Sequence, residues 1–134
     1  MSKLSLFNNI KHGNVFEPYI TLIDSYKLRT LFTKLRCGSL NIEVNAGRYQ
    51  GIPRDRRYCT FCNTADVGDE FHFLLICPFF REIRSLFIPS YYYEFPCTDK
   101  FYEMLRSNNK KLLLDICHFL CHSMKLRREI DMLS

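Results

Sequence analysis

The chain has no tryptophan, no long apolar run and no catalytic signature, and each gap narrows what it can be. No uninterrupted apolar stretch approaches the roughly 18 residues of a membrane-crossing helix, so no membrane partner is expected. The opening segment MSKLSLFNNIKHG lacks the apolar core and small-residue cleavage site of a signal peptide. The expected location is therefore intracellular, nucleus or cytoplasm, and not secreted. A phosphate-cradling glycine loop, G-x-S-x-G and H-E-x-x-H are all missing. The carboxylates are scattered, without the cluster that two-metal phosphoryl transfer requires. These gaps predict a protein that is not an enzyme. Internal repeats and low-complexity tracts are absent as well. Period-two alternation is confined to Leu40-Asn41-Ile42-Glu43-Val44-Asn45, so at most one short extended segment is expected.

What is present is a hydrophobic content of 47%, enough for a packed core, with twelve Phe and eight Tyr. The 134 residues suit a single domain or a fragment of a larger one. The formal charge of +5 suits a nucleic-acid partner without requiring one. Seven cysteines would fit a disulfide scaffold, but the count is odd and three of them fall in a metal pattern, which favours a reducing compartment.

That pattern is Cys59, Cys62, His72 and Cys77, written C-x2-C-x9-H-x4-C. Two thiolates two residues apart face one ion from a single tight turn, and His and Cys close the tetrahedron. Three sulfurs and one imidazole form a closed, structural Zn²⁺ set with no position left for substrate, so one zinc per chain is expected to hold shape only. Residues five apart lie about 140° apart on a regular helix, so His72 and Cys77 cannot both ligate from an undistorted one. Pro78 disfavours helical geometry at Cys77 and lets the backbone turn there.

Helical spacing organises the rest. Residues 3–11 form a short helix candidate, and Glu17-Pro18 opens a second turn. Ser25 reads as the N-cap of a helix carrying Tyr26, Leu28, Leu31, Phe32 and Leu35, stopped by Gly38. Asp69 and Glu70 stand at a helix N-terminus. Pro78 starts another helix through Phe87, and Pro89 to Pro96 reads as a loop. A helix begins near Thr98, and the last and longest runs from about Asn109 to Met132. The expected fold is mainly α, a helical domain around one CCHC knuckle. It divides into a lead-in with a short extended arm (1–50), the basic loop and knuckle (51–78) and a helical tail (79–134).

Three further groups carry two readings each. Between Tyr26 and Arg57 there are eight Lys or Arg and two acids. Arg48, Arg54, Arg56 and Arg57 either meet phosphates while Tyr49 or Tyr58 stacks a base, or stay solvated and pair with Asp66, Asp69 and Glu70. Phe61 and Phe73 either pack a small core around the knuckle or stack on single-stranded bases. Cys117, His118, Cys121 and His122 offer i,i+4 pairs for a second metal, but no other ligands are evident, and buried or surface side chains are the plainer reading.

The motif order is informative as a whole. Lys34-Leu35-Arg36-Cys37-Gly38-Ser39-Leu40 is followed by Gly47-Arg48-Tyr49, then Pro53-Arg54-Asp55-Arg56-Arg57-Tyr58-Cys59, Asp69-Glu70-Phe71-His72-Phe73-Leu74, Cys77-Pro78 and Arg84. This order resembles the zinc-binding region found C-terminal to the reverse transcriptase of non-LTR (LINE-type) retrotransposons. The resemblance spans about residues 26–90 and extends loosely through the helical tail. It implies a zinc module that grips RNA or DNA during target-primed reverse transcription, with Cys59, Cys62, His72 and Cys77 as ligands and the polymerase body as a possible partner. Leu40 and Asn45 depart from the His and Glu common in that family. No Tyr/Phe-x-Asp-Asp motif is present, so the resemblance implies a C-terminal piece of a retroelement polyprotein without its polymerase or endonuclease. A zinc-stabilised protein-interaction module, or a decayed fragment, are the alternatives.

Overall fold

Ser25 starts the first long helix as a side-chain cap: its Oγ accepts from the Leu28 N–H at 3.3 Å. The helix, α2 (Tyr26–Arg36), follows a short α1 (Pro18–Leu22) and buries Phe32, Leu35 and Arg36. Gly38 ends it in the left-handed region at φ 66°, where the Gly38 N–H reaches Leu35 O and the Ser39 N–H reaches Lys34 O. That pair of bonds is the Schellman closure, which favours glycine because it has no Cβ to clash. The computed structural model describes residues 18–133, and the helix expected over 3–11 lies outside them.

The extended arm expected at residues 40–45 is instead a turn leading into α3 (Glu43–Tyr49). Leu40, Ile42 and Val44 are all buried, so the alternation did mark core positions. No partner strand exists among the described residues, and an unpaired strand would leave its polar backbone unsatisfied. The chain takes helical bonds, with the Ala46 N–H on Ile42 O at 2.9 Å, and the Val44 N–H crosses to Gly68 O at 3.0 Å. The nearest approach to a sheet is a single antiparallel bridge between Tyr58 and Val67.

Beyond the knuckle come α4 (Arg81–Phe87), α5 (Ser90–Glu94), α6 (Thr98–Leu105) and α7 (Lys110–Leu133). The loop expected from Pro89 to Pro96 therefore contains a helical turn. The expectation of one long final helix holds, with Leu113, Ile116 and Leu120 fully buried. The α7 helix is the spine: its apolar face packs chiefly against α2 and α4. Phe73, Phe80 and Phe119 meet in the centre, with Phe73–Phe80 edge-to-face at 5.1 Å and Phe73–Phe119 at 5.5 Å. The fold is mainly α, and among the described residues no helix is long and apolar enough to cross a membrane.

Candidate metal centre

Cys59, Cys62, His72 and Cys77 converge so that one ligand atom from each lies within 4.8 Å of the others. Cys59 Sγ and Cys77 Sγ are 3.7 Å apart, and Cys62 Sγ is 3.4 Å from His72 Nε2. This is the one such cluster among the described residues, and its geometry is that of a group able to hold a metal ion.

Local structure explains the convergence. The first two ligands sit on the turn after the Tyr58–Val67 bridge, held by the Cys59 N–H on Asp66 O at 2.9 Å. Gly68 closes the loop beneath α3. A Cβ there would lie 2.5 Å from Glu43 Oε1, so only glycine permits the contact. The other two ligands come from a wide helical turn. Asp69 caps it, its Oδ1 accepting from the His72 N–H at 2.8 Å. Residues His72–Ile76 then form a π-helical turn, closed by the Cys77 N–H on His72 O at 2.7 Å. A turn closed from i to i+5 holds one residue more than an α-turn, which brings Cys77 back toward the face of His72. The phase conflict noted from the sequence is thus solved by a π-turn together with the exit at Pro78, which begins a 3₁₀ turn (Pro78–Phe80).

Proline has no N–H, so Pro78 cannot supply the donor that Leu74 O and Phe73 O would otherwise receive. Arg84 replaces it. Its Nε donates to Leu74 O at 2.8 Å and its Nη2 to Phe73 O at 3.1 Å. The guanidinium is buried against Phe119, with no carboxylate partner among the described residues, and burial lowers its pKa to about 10.

On the imidazole, Nε2 faces sulfur while Nδ1 faces Asp66 Oδ2 at 3.6 Å. At that distance the carboxylate makes no hydrogen bond to the ring, and Nδ1 is buried without a hydrogen-bond partner among the described residues. Three of these groups are perturbed by their neighbours. The hydrogen bond from Cys77 holds the Cys59 thiol far below its ordinary range, and the same bond together with burial pushes Cys77 up. Burial would lower His72, but its hydrogen bonds to the Cys59 and Cys62 sulfurs outweigh that and raise it. Protons shared in this way are what a metal ion displaces when it binds.

Other candidate residues divide clearly. Arg54 pairs with Asp69 at 3.1 Å. Arg57 donates to Ile52 O at 2.8 Å and Val44 O at 2.9 Å, tying the loop to α3. Arg48 reaches Gly38 O at 3.5 Å and lies over the Tyr49 ring. Arg56, Tyr49 and Tyr58 face solvent. Phe61 and Phe73 pack into the aromatic cluster, and Asn45 donates to buried Glu70 at 2.9 Å and to Leu40 O at 2.8 Å.

Among the described residues, Cys117, His118, Cys121 and His122 are not part of any group of three or more convergent ligands. Cys117 is fully buried with its thiol toward Leu28 O, and His118 and His122 flank Phe87 on the surface. Sequence reasoning missed Arg127, which binds Glu43 at 2.6 Å and stacks over Phe61 at 4.4 Å. The helical spacing of α7 puts Arg127 seven residues after Leu120, on the buried stripe, and that was the available signal. Comparison with family models, with curated proteins and with solved structures gave no match.

Proposed function

We propose that this chain is a non-catalytic zinc module that binds nucleic acid, of the kind that follows the reverse transcriptase in LINE-type retroelements. The observation that carries the metal identity is the donor set and its spacing. Tetrahedral Zn²⁺ with sulfur at about 2.3 Å and nitrogen at about 2.0 Å has edges of about 3.8 Å between sulfurs and about 3.5 Å from sulfur to nitrogen. The 3.7 Å and 3.4 Å separations are close to those edges, and all four ligand atoms lie within 4.8 Å of one another. Cys59, Cys62, His72 and Cys77 would hold the ion and fill all four positions, so the metal supplies folding energy and no reaction.

The nucleic-acid part rests on the motif order and on Arg56, Tyr49 and Tyr58, which remain exposed beside the knuckle. A second reading has its own observation. Phe95 and Leu86 are 80% and 75% exposed, which favours docking on another protein such as a polymerase body.

Metal analysis of the purified chain should give one zinc, bound through three sulfurs and one nitrogen by X-ray absorption. Anisotropy titration with labelled RNA and DNA across salt should give binding that weakens steeply as salt rises. An oxygen-only metal shell would end the zinc assignment, and salt-independent or absent binding would turn the reading to a protein partner.

A further inference from the structure

The helix α2 carries Lys27, Arg29, Lys34 and Arg36 and no carboxylate at all. Two adjoining grooves run along it. One, of about 300 Å³, lies between α2 and α7 and is edged by Lys27, Lys34 and Arg128, with Thr30 and Cys121 between them. The other, also about 300 Å³, continues across the helix and is edged by Arg29 and Lys34. Tyr26 stands where they join and lines both. No acidic side chain lines either groove. The carboxylates nearest in sequence are elsewhere: Asp24 pairs with Lys110, and Glu129 lies outside the lining. Lys27, Lys34 and Arg128 are exposed and have no ion-pair partner among the described residues.

The larger groove near the knuckle differs. Its cations Arg57 and Arg127 are committed to backbone carbonyls and to Glu43, and Glu43 and Asp131 help to line it. The loop that drew notice in the sequence therefore offers one uncommitted cation in Arg56, whereas α2 and α7 offer a continuous acid-free track.

We infer that a single strand of nucleic acid runs along the α2–α7 groove, its phosphates on Lys27, Lys34 and Arg128 and one base stacked on Tyr26. The inference rests on the nucleic-acid reading above and assigns it to a surface that shares no residue with the Arg48–Tyr58 loop. Three features choose the occupant. Lys27 and Lys34 are seven residues apart on one helix, about 10 Å, which is too far for one phosphate and suits a chain of them. The Tyr26 ring is 76% exposed, a large apolar face with no packing role. A positive groove with an aromatic platform is the arrangement that binds single strands without reading sequence, because phosphates give affinity and any base can stack. Arg29, anchored on Ile23 O, lies 6.0 Å from the Tyr26 ring centre.

The test uses the zinc-loaded full chain and labelled 12-nucleotide oligo-dT and oligo-U. The double variant Lys34→Gln/Arg128→Gln should bind both at least tenfold more weakly at low salt, and its log–log salt slope should fall by about 1.4. Tyr26→Ala should weaken the ordinary strand about tenfold and leave an abasic strand of equal length unchanged. Bound strand should also shield Cys121 from alkylation, read by mass spectrometry. Melting temperature and zinc content of each variant, at parent values, separate these losses from unfolding. If the groove variants bind like the parent while Arg56→Ala weakens binding, the groove assignment falls and the nucleic-acid reading stands. If the parent binds no oligonucleotide at low salt, both fall. If anionic vesicles or polyglutamate bind as tightly as the oligonucleotides, or Tyr26→Ala weakens the abasic strand equally, the nucleic-acid occupant is wrong.

Discussion

Arg127 is the most informative single side chain to perturb, because it joins the end of α7 to both α3 and the knuckle. Its side chain is 7% exposed and that of its partner Glu43 is 13%. The guanidinium also lies over Phe61, Phe73 and Phe80 at 4.4, 5.3 and 6.0 Å. Removing one member of a buried ion pair typically costs about 3–5 kcal/mol, since the other charge is left without its partner. Glu43 would keep the Thr60 hydroxyl at 2.9 Å, and the pair borders a groove, so the lower end of that range applies. Arg127→Met is therefore expected to destabilise by about 3 kcal/mol. Glu43→Gln should cost about 2 kcal/mol, because a neutral amide still accepts from Thr60. The double variant should cost clearly less than the two together, with a coupling of about 2 kcal/mol. Urea unfolding of the zinc-loaded variants, followed by circular dichroism, measures all four corners of the cycle. Because the pair is buried, the coupling should persist in about 0.5 M salt. Additivity to within about 0.5 kcal/mol would mean that the two charges do not rely on each other, and the reading of Arg127 as a buried strut would be wrong.

Arg84→Met should lower stability by about 2–4 kcal/mol by leaving Phe73 O and Leu74 O without donors, and should speed zinc loss to a chelator, measured with a colorimetric indicator. Asp66→Ala should weaken zinc binding about tenfold in competition with a chelator while leaving the helical circular dichroism unchanged, because it removes only the carboxylate behind His72. Cys117 has its thiol pushed up to about 12 by burial, with Cys121 a smaller contribution, from an ordinary value of 9.0. A raised folded-state value means the thiol stabilises fully below pH 9 and loses that contribution as pH rises toward 12. The stability gap between parent and Cys117→Ala, from urea melts at pH 8 and pH 10.5, should therefore shrink at the higher pH; a constant gap would refute it.

Much of the candidate metal centre was legible because ligand chemistry is local. C-x2-C and H-x4-C fix which residues meet, and the 140° phase conflict already demanded a distortion near Cys77. What the sequence did not disclose was the form of that distortion, a π-turn, since no local propensity marks one. Ser25, Gly38 and the stripe on α7 were readable because caps and apolar periodicity act within a few residues. The segment from Leu40 to Asn45 misled for a related reason. Its alternation correctly identified Leu40, Ile42 and Val44 as buried, but strand formation depends on a partner elsewhere in the chain. The arginines of the 48–57 loop were read by density, whereas their fate depends on carbonyls and carboxylates brought close only by the fold: Arg54 meets Asp69, and Arg57 meets Val44 O and Ile52 O.

These placements account for a feature that first looks uneconomical, the burial of Arg36, Arg84 and Arg127 in one small domain. A buried guanidinium is tolerated only where its donors are used and its plane is packed. Arg36 donates to Leu105 O and lies over Tyr19, Arg84 takes two carbonyls of the π-turn and lies near Phe119, and Arg127 takes Glu43 and the face of Phe61. Each bridges segments that no β-ladder connects: α2 to α6, the π-turn to α4, and α7 to α3. A helical domain folded around a knuckle has few regular backbone bonds between its parts. Long planar donors stacked on an aromatic core supply those cross-connections. At the π-turn the sign of the charge also matters. Were a divalent ion bound, three thiolates around it would leave one net negative charge, and Arg84, although burial lowers its pKa to about 10, would place a positive one beside it. The proline that bends the chain at Cys77 thus creates the need for Arg84, and Arg84 meets that need by donating to Leu74 O and Phe73 O.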